Sequence, residues 1–180
     1  KELKFHTLRQ LIGYVPQDSF LFSMTIAENI RFGKPDASME EIIKFSKIAY
    51  LHNDVLTFPD AYDTLLGERG ITLSGGQKQR LALARALIKD PQILILDDSL
   101  SAVDTQTESL IISELKKFMK DRITIVISHR VSTIKDLNNI IVLKNGEIVE
   151  SGNHSQLFKL NGIYTDLYNK QLLEQEIEML

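Results

Sequence analysis

Residues Leu73–Asp98 read LSGGQKQRLALARALIKDPQILILDD. The stretch holds two elements. Gly75–Lys89 has helical spacing, and its later half, Leu81–Ile88, is apolar nearly all round except for Arg85. Such a helix is usually buried. Ile93–Leu96 is a short, continuously apolar run, the pattern of a buried strand, and Asp97 and Asp98 stand at its C-terminal end. In parallel α/β sheets ligands bind at that edge. Adjacent residues of a strand point to opposite faces, so the two acids should do different jobs. One suits a hard cation such as Mg²⁺ and the other the orientation or deprotonation of a water. A pair of strand-end acids capping a turn is the alternative. Ser74 can cap the helix, and Gln77, three residues on, can complete a capping box. Capping does not explain Gly75 and Gly76, each costing about 1 kcal/mol in a helix relative to alanine. Glycines there let a ligand approach the N–H groups of a helix N-terminus, which is a natural anion site. Cap and phosphate site both remain open on these residues.

Outward from this stretch, strand-like and helix-like segments alternate. Ile12–Val15, Gln92–Leu96, Ile123–Ser128 and Ile140–Leu143 read as strands. Met39–Tyr50 and Thr105–Met119 read as helices, the latter with Ile111, Leu115 and Phe118 on one stripe and Asp104 placed as its N-cap. Apolar strands separated by helices predict a parallel sheet covered on both faces. Asn145-Gly146 joins two short runs into a hairpin. Two further helices are expected around Ser155–Leu160 and Ile163–Glu176. A helical subdomain is expected over about 23–90, beside a core of 1–22 and 91–180. His129 follows the strand Ile123–Ser128, at the same kind of edge as Asp97.

The composition bounds the rest. The chain has 180 residues, 43% hydrophobic and 25% charged, which fits one globular domain. With 21 basic against 24 acidic residues the net charge is −3, so nucleic acid is not expected as a partner. There is no cysteine, which excludes disulfides, cysteine-type zinc sites and thiol catalysis. The longest apolar runs are four residues, far short of the roughly 18 of a membrane helix.

Taken in order, these segments resemble the nucleotide-binding domain of ABC transporters. Leu73–Gln77 is similar to the signature motif, Ile93–Asp98 to Walker B, and Ser101-Ala102-Val103-Asp104 to the D-loop. His129 is similar to the switch histidine, and Val15-Pro16-Gln17-Asp18 to the Q-loop. Gly67-Glu68-Arg69-Gly70, Phe20-Leu21-Phe22 and Thr25–Ile30 look like the exporter branch. The resemblance implies an α/β P-loop NTPase-type fold with a helical signature subdomain, and ATP and Mg²⁺ as ligands. It implies Asp97 and Gln17 at the metal, Asp98 orienting the attacking water, and His129 and Gln17 near the γ-phosphate. Ser74, Gly75, Gly76 and Gln77, with Ser101 and Asp104, would contact nucleotide or link the sites across the interface of two such domains. Glu68 and Arg69 would lie near the membrane domain. The implied partners are a second, non-identical nucleotide-binding domain and a transmembrane domain of the same full-length chain, at the cytoplasmic face of the membrane.

Two features depart from the family. No G-x-x-x-x-G-K-[ST] run is present, and only 16 residues precede Gln17. The chain is therefore expected to begin after the P-loop, to be inactive alone, and to leave part of a sheet face bare. The family's usual glutamate after the Walker B aspartate is Asp98 here. That implies a weak site, paired with a competent one in a heterodimeric exporter of the multidrug or lipid kind. The alternatives are a soluble ABC-type ATPase outside transport and a truncated fragment that only binds a partner.

Overall fold

Three apolar runs pair side by side as a parallel sheet. They are β1 (Ile12–Val15), β2 (Ile93–Asp97) and β3 (Ile123–Ile127), in the order β1-β2-β3. Val15 lies opposite Leu96, and Asp97 opposite Ile127, so the three C-terminal ends share one edge. The computed structural model describes residues 5–67 and 72–178. It forms two compact units, Lys1–Ile127 and Ser128–Leu180.

Strand alternation decides which side of the sheet is buried. Val15, Leu94 and Leu96 enter the core of the first unit, together with Leu83 and Leu87 of α5 (Gly75–Ile88) and Ile111 and Leu115 of α6 (Thr105–Met119). The other face carries Tyr14, Ile123, Ile125 and Ile127, between 48% and 63% exposed. The expectation of cover on both faces therefore holds for one face only.

Local signals set most helix starts. Side-chain and backbone partners three residues apart form capping boxes at Thr25/Glu28 before α2 (Ile26–Arg31), at Ser38/Glu41 before α3 (Met39–Ile48) and at Ser74/Gln77 before α5. Asp104 caps α6. Between α3 and α5 lie the single turn α4 (His52–Val55) and a 3-10 turn over Ala61–Asp63. The short α1 (Phe5–Leu11) has no pattern that reveals it; Lys89 Nζ donates to the carbonyls of Arg9 (2.7 Å), in its last turn, and Ile12 (2.8 Å), just past it.

Helix α5 touches β1, α2 and α3 and is the hub of the unit. Its contact with the end of α2 is close at Gly33. A Cβ there would stand 2.1 Å from the Arg85 carbonyl oxygen and 2.9 Å from Ile88 Cγ2. Both obstacles belong to a packed helix, so neither can move cheaply. Gly33→Ala is expected to destabilise the chain by about 2 kcal/mol, seen as a lower urea midpoint at unchanged m-value. An unshifted midpoint would show that the two helices can part freely.

The second unit is built on a hairpin. β4 (Ile140–Lys144) and β5 (Glu147–Gly152) pair antiparallel around Asn145 (φ 53°) and Gly146 (φ 82°), two left-handed residues as a type I′ turn requires. Around it lie α7 (Val131–Ile134), α8 (His154–Leu160) and α9 (Ile163–Glu178). Val131, Ile140, Leu157 and Tyr164 form the core. The Glu150 carboxylate accepts the N–H groups of Ile163 (2.6 Å) and Tyr164 (3.1 Å) and so caps α9.

Candidate functional site

Of the two acids, Asp97 is the last residue of β2 and Asp98 follows it outside the strand. Asp97 sits on the bare face with Tyr14, whose hydroxyl donates to Asp97 Oδ2 at 3.1 Å. That bond, with some burial, pushes the Tyr14 phenol above its usual pKa. Asp98 leaves the strand with φ 46°, a region aspartate tolerates better than most residues. Its N–H donates to the Ile127 carbonyl at 2.8 Å, and its own carbonyl accepts from Ser101 N (3.3 Å) and Ser101 Oγ (2.9 Å). Asp98 thus opens a tight turn whose backbone is fixed at three points. Gln17 is exposed in the bend just beyond β1, on the edge that carries Asp97.

The turn that starts α5 is held from two sides. Within it, Ser74 N donates to Gln77 Oε1 (3.0 Å) and Gln77 N to Ser74 Oγ (3.2 Å), the capping box expected from sequence. From one side Asp54 Oδ2 accepts from Gln77 Nε2 (3.1 Å) and Arg80 Nη2 (2.7 Å). Arg80 also donates to the carbonyls of Tyr50 and Gly76. From the other side comes the loop after Asp98. A Cβ on Gly76 would lie 2.8 Å from the Ala102 carbonyl oxygen, and one on Gly75 would lie 3.2 Å from Ala102 Cβ. These glycines are expected from sequence to admit a ligand; the group that approaches them here is the chain's own loop. Gln79 completes the junction, donating to Ser101 Oγ (3.1 Å) and accepting from Ala102 N (2.9 Å).

Asp104 acts as a helix cap. Its Oδ1 accepts from Thr107 N at 2.9 Å, and that bond holds its carboxyl below the usual range. His129 belongs to the second unit and is exposed. Gln171 of α9 brackets its loop, donating to the His129 carbonyl (2.6 Å) and accepting from Val131 N (2.8 Å). Glu68, Arg69 and Gly70 lie outside the described residues. A cleft of about 370 Å³ opens beside the Gln17 segment, lined by Pro16, Phe20, Phe32, Arg85 and Lys89 among others.

Tyr14, Asp54 and Gln79 were not singled out by sequence. Tyr14 and Asp97 share a face only once β1 and β2 are known to pair with Tyr14 opposite Ile95. Gln79 looks like an ordinary polar residue of an amphipathic turn until the loop at Ser101 is placed upon it.

Residues 1–101 match the family described as ABC transporter. The chain belongs to that family. It is 53% identical over 165 residues to an uncharacterized ABC transporter ATP-binding protein, YknU, of Bacillus subtilis (strain 168), covering 92% of this chain and 28% of that protein. It is 49% identical over 178 residues to the multidrug resistance-like ATP-binding protein MdlA of Buchnera aphidicola, covering 98% of this chain and 31% of that protein. A solved bacterial Atm1-family ABC exporter with ATP bound superposes with a TM-score of 0.88 at 44% identity, over 93% of this chain and 30% of that one. The chain thus spans less than a third of these ABC relatives. No described helix is long and apolar enough to cross a membrane.

Proposed function

We propose that this chain is part of the ATP-hydrolysing domain of an ABC exporter subunit, coupling ATP hydrolysis to export of a substrate across a membrane. One observation carries the reading: the glycine turn of α5, the paired acids of β2 and the loop joining them form one bonded assembly at the C-terminal edge of a parallel sheet. That is where such a fold places phosphate chemistry. The partners would be a transmembrane domain of the same full-length chain and a second, non-identical nucleotide-binding domain, at the cytoplasmic face. The cleft beside Phe20 and Arg85 offers the membrane domain a docking surface.

Each residue has a distinct task in this reading. Asp97 and Gln17 would hold Mg²⁺. Among the described residues no cluster of three or more His, Cys, Asp or Glu side chains exists for a metal. One carboxylate with waters and phosphate oxygens is nevertheless the donor set Mg²⁺ favours, so the residues fit. When bound, the ion would neutralise charge on the β- and γ-phosphates. Asp98 orients a water that attacks the γ-phosphorus as the bond to the β-phosphate oxygen breaks and ADP leaves. His129 meets the γ-phosphate. Ser74 Oγ already accepts Gln77 N, which leaves its O–H to donate. The first-turn N–H groups of α5, which include Gly75 and Gly76, have no acceptor one turn back in the helix. These donors would face the γ-phosphate held by the partner domain.

The 180 residues contain no G-x-x-x-x-G-K-[ST] run, the loop that cradles the phosphates. The chain alone is therefore expected to hydrolyse Mg-ATP at the blank rate. The full-length subunit assembled with its partner should turn over, and lose turnover at this site in Asp97→Ala. Phosphate release tests both, with the partner's own acid neutralised in the assembled protein so that only this site reports. Turnover by the isolated chain that disappears in Asp97→Ala would sink the reading.

A further inference from the structure

We infer that Gln79 is a positioning residue that makes the glycine turn of α5 and the loop after Asp98 move as one body. The inference rests on the composite-site reading above. Gln79 is 6% exposed, and a buried amide needs partners. Its two partners, Ser101 Oγ and Ala102 N, both come from that one loop. Ser101 Oγ passes the link on to the Asp98 carbonyl. Gly75 and Gly76 press the start of the same helix against Ala102, so the loop is gripped at two places on α5.

A helix is stiff over the four residues between Ser74 and Gln79. Any shift of the loop is therefore carried to the turn that offers donors to the partner's nucleotide. In the other direction, a nucleotide seated on Ser74–Gly76 sets the backbone from which Asp98 projects. One glutamine thereby fixes the relative placement of two groups that serve different sites of the dimer. Alignment at such sites is steep, with a 1 Å error costing on the order of 100-fold.

The test uses the full-length subunit assembled with its partner. Gln79→Leu keeps most of the volume and removes both hydrogen bonds. It is expected to lower kcat about 10- to 100-fold while KM for ATP stays within about twofold, because the loop that binds phosphates is untouched. Gln79→Glu keeps the acceptor for Ala102 N but loses the donor to Ser101 Oγ, so it should recover only part of the rate. Gln79→Leu combined with Ser101→Ala should be no slower than Gln79→Leu alone, since both cut one linkage. Unchanged kcat overturns the inference. So do multiplicative effects in the double variant, or a lower thermal midpoint with full kcat in the folded fraction. If Gln79→Leu does not fold, the cycle of Gln79→Glu with Ser101→Ala decides on the same criterion: coupling supports the role and additivity overturns it. Asp97→Ala run alongside separates two failures. With the partner's own acid neutralised so that only this site reports, retained turnover there defeats the ATPase reading itself. Its loss, with full rate in Gln79→Leu, defeats only the positioning role.

Discussion

Asp98→Glu in the assembled, full-length protein is expected to raise hydrolysis at this chain's own site by about 10- to 100-fold. The aspartate carboxylate stands one methylene, roughly 1.5 Å, short of the reach that glutamate would have. A flexible backbone could close that gap by moving. This one is pinned through Ile127 O, Ser101 N and Ser101 Oγ, so under the proposed function the shortfall would pass directly to the attacking water. The substitution also has a cost. Asp98 sits at φ 46°, where aspartate is enriched and longer side chains are less favoured. A small drop in thermal midpoint should accompany the faster rate, so stability and turnover should move in opposite directions. The assay is single-turnover hydrolysis with the partner's own acid neutralised, so that only this site reports. A rate that stays flat would mean that the length of Asp98 does not limit the site, and would remove the main reason for expecting a non-identical partner.

Much of this arrangement is written in short-range signals. Ser74 with Gln77, Asp104 ahead of α6 and Asn145-Gly146 in the hairpin each solve a local backbone problem, and each is found where the sequence places it. The strands lie within one residue of the runs read from sequence, because each is a short apolar stretch. What was not legible depends on which segments become neighbours. Strand Ile123–Ile127 is apolar at every position but Thr124 and reads as a buried strand, yet its three isoleucines stand on the exposed face. No local pattern distinguishes a strand that is covered from one whose cover lies elsewhere. The bond from Tyr14 to Asp97 and the grip of Gln79 on Ser101 likewise join residues 83 and 22 positions apart. Asp104 shows a different limit. Its cap is visible in sequence and structure alike, and because one carboxylate can cap a helix and face an interface, seeing the first role does not remove the second.

Arg85 is the clearest case of a residue whose sequence context misleads. In LALARALI it looks like an interruption of an apolar helix, and instead it carries the junction between α5 and the segment after Gln17. Its guanidinium donates to Asn29 O (2.9 Å), Asn29 Oδ1 (2.8 Å) and Phe20 O (2.9 Å), and lies 5.3 Å from the centre of the Phe22 ring. Asn29, fully buried, donates in turn to the carbonyls of Phe22 and Thr25 and accepts from Phe22 N. Arg85→Met keeps the apolar stem and strips every one of the arginine's donors. Hydrogen bonds from a charged group contribute about 1.5–3 kcal/mol each, and acceptors left buried cost about 1–3 kcal/mol. These terms overlap, so the expected loss is about 3–5 kcal/mol by urea unfolding, larger than for Gly33→Ala. Arg85→Lys should recover only a minor part, because an ammonium cannot span three acceptors held in a planar fork. A loss under about 1 kcal/mol would mean that ring packing suffices, with Phe22 against Phe32 at 4.5 Å. In that event the segment from Gln17 to Asn29 could shift without disturbing α5. A loss of the expected size ties that segment to the helix that Ser74 caps; under the proposed function, that would give a membrane domain docked near Phe20 a rigid path to its first turn.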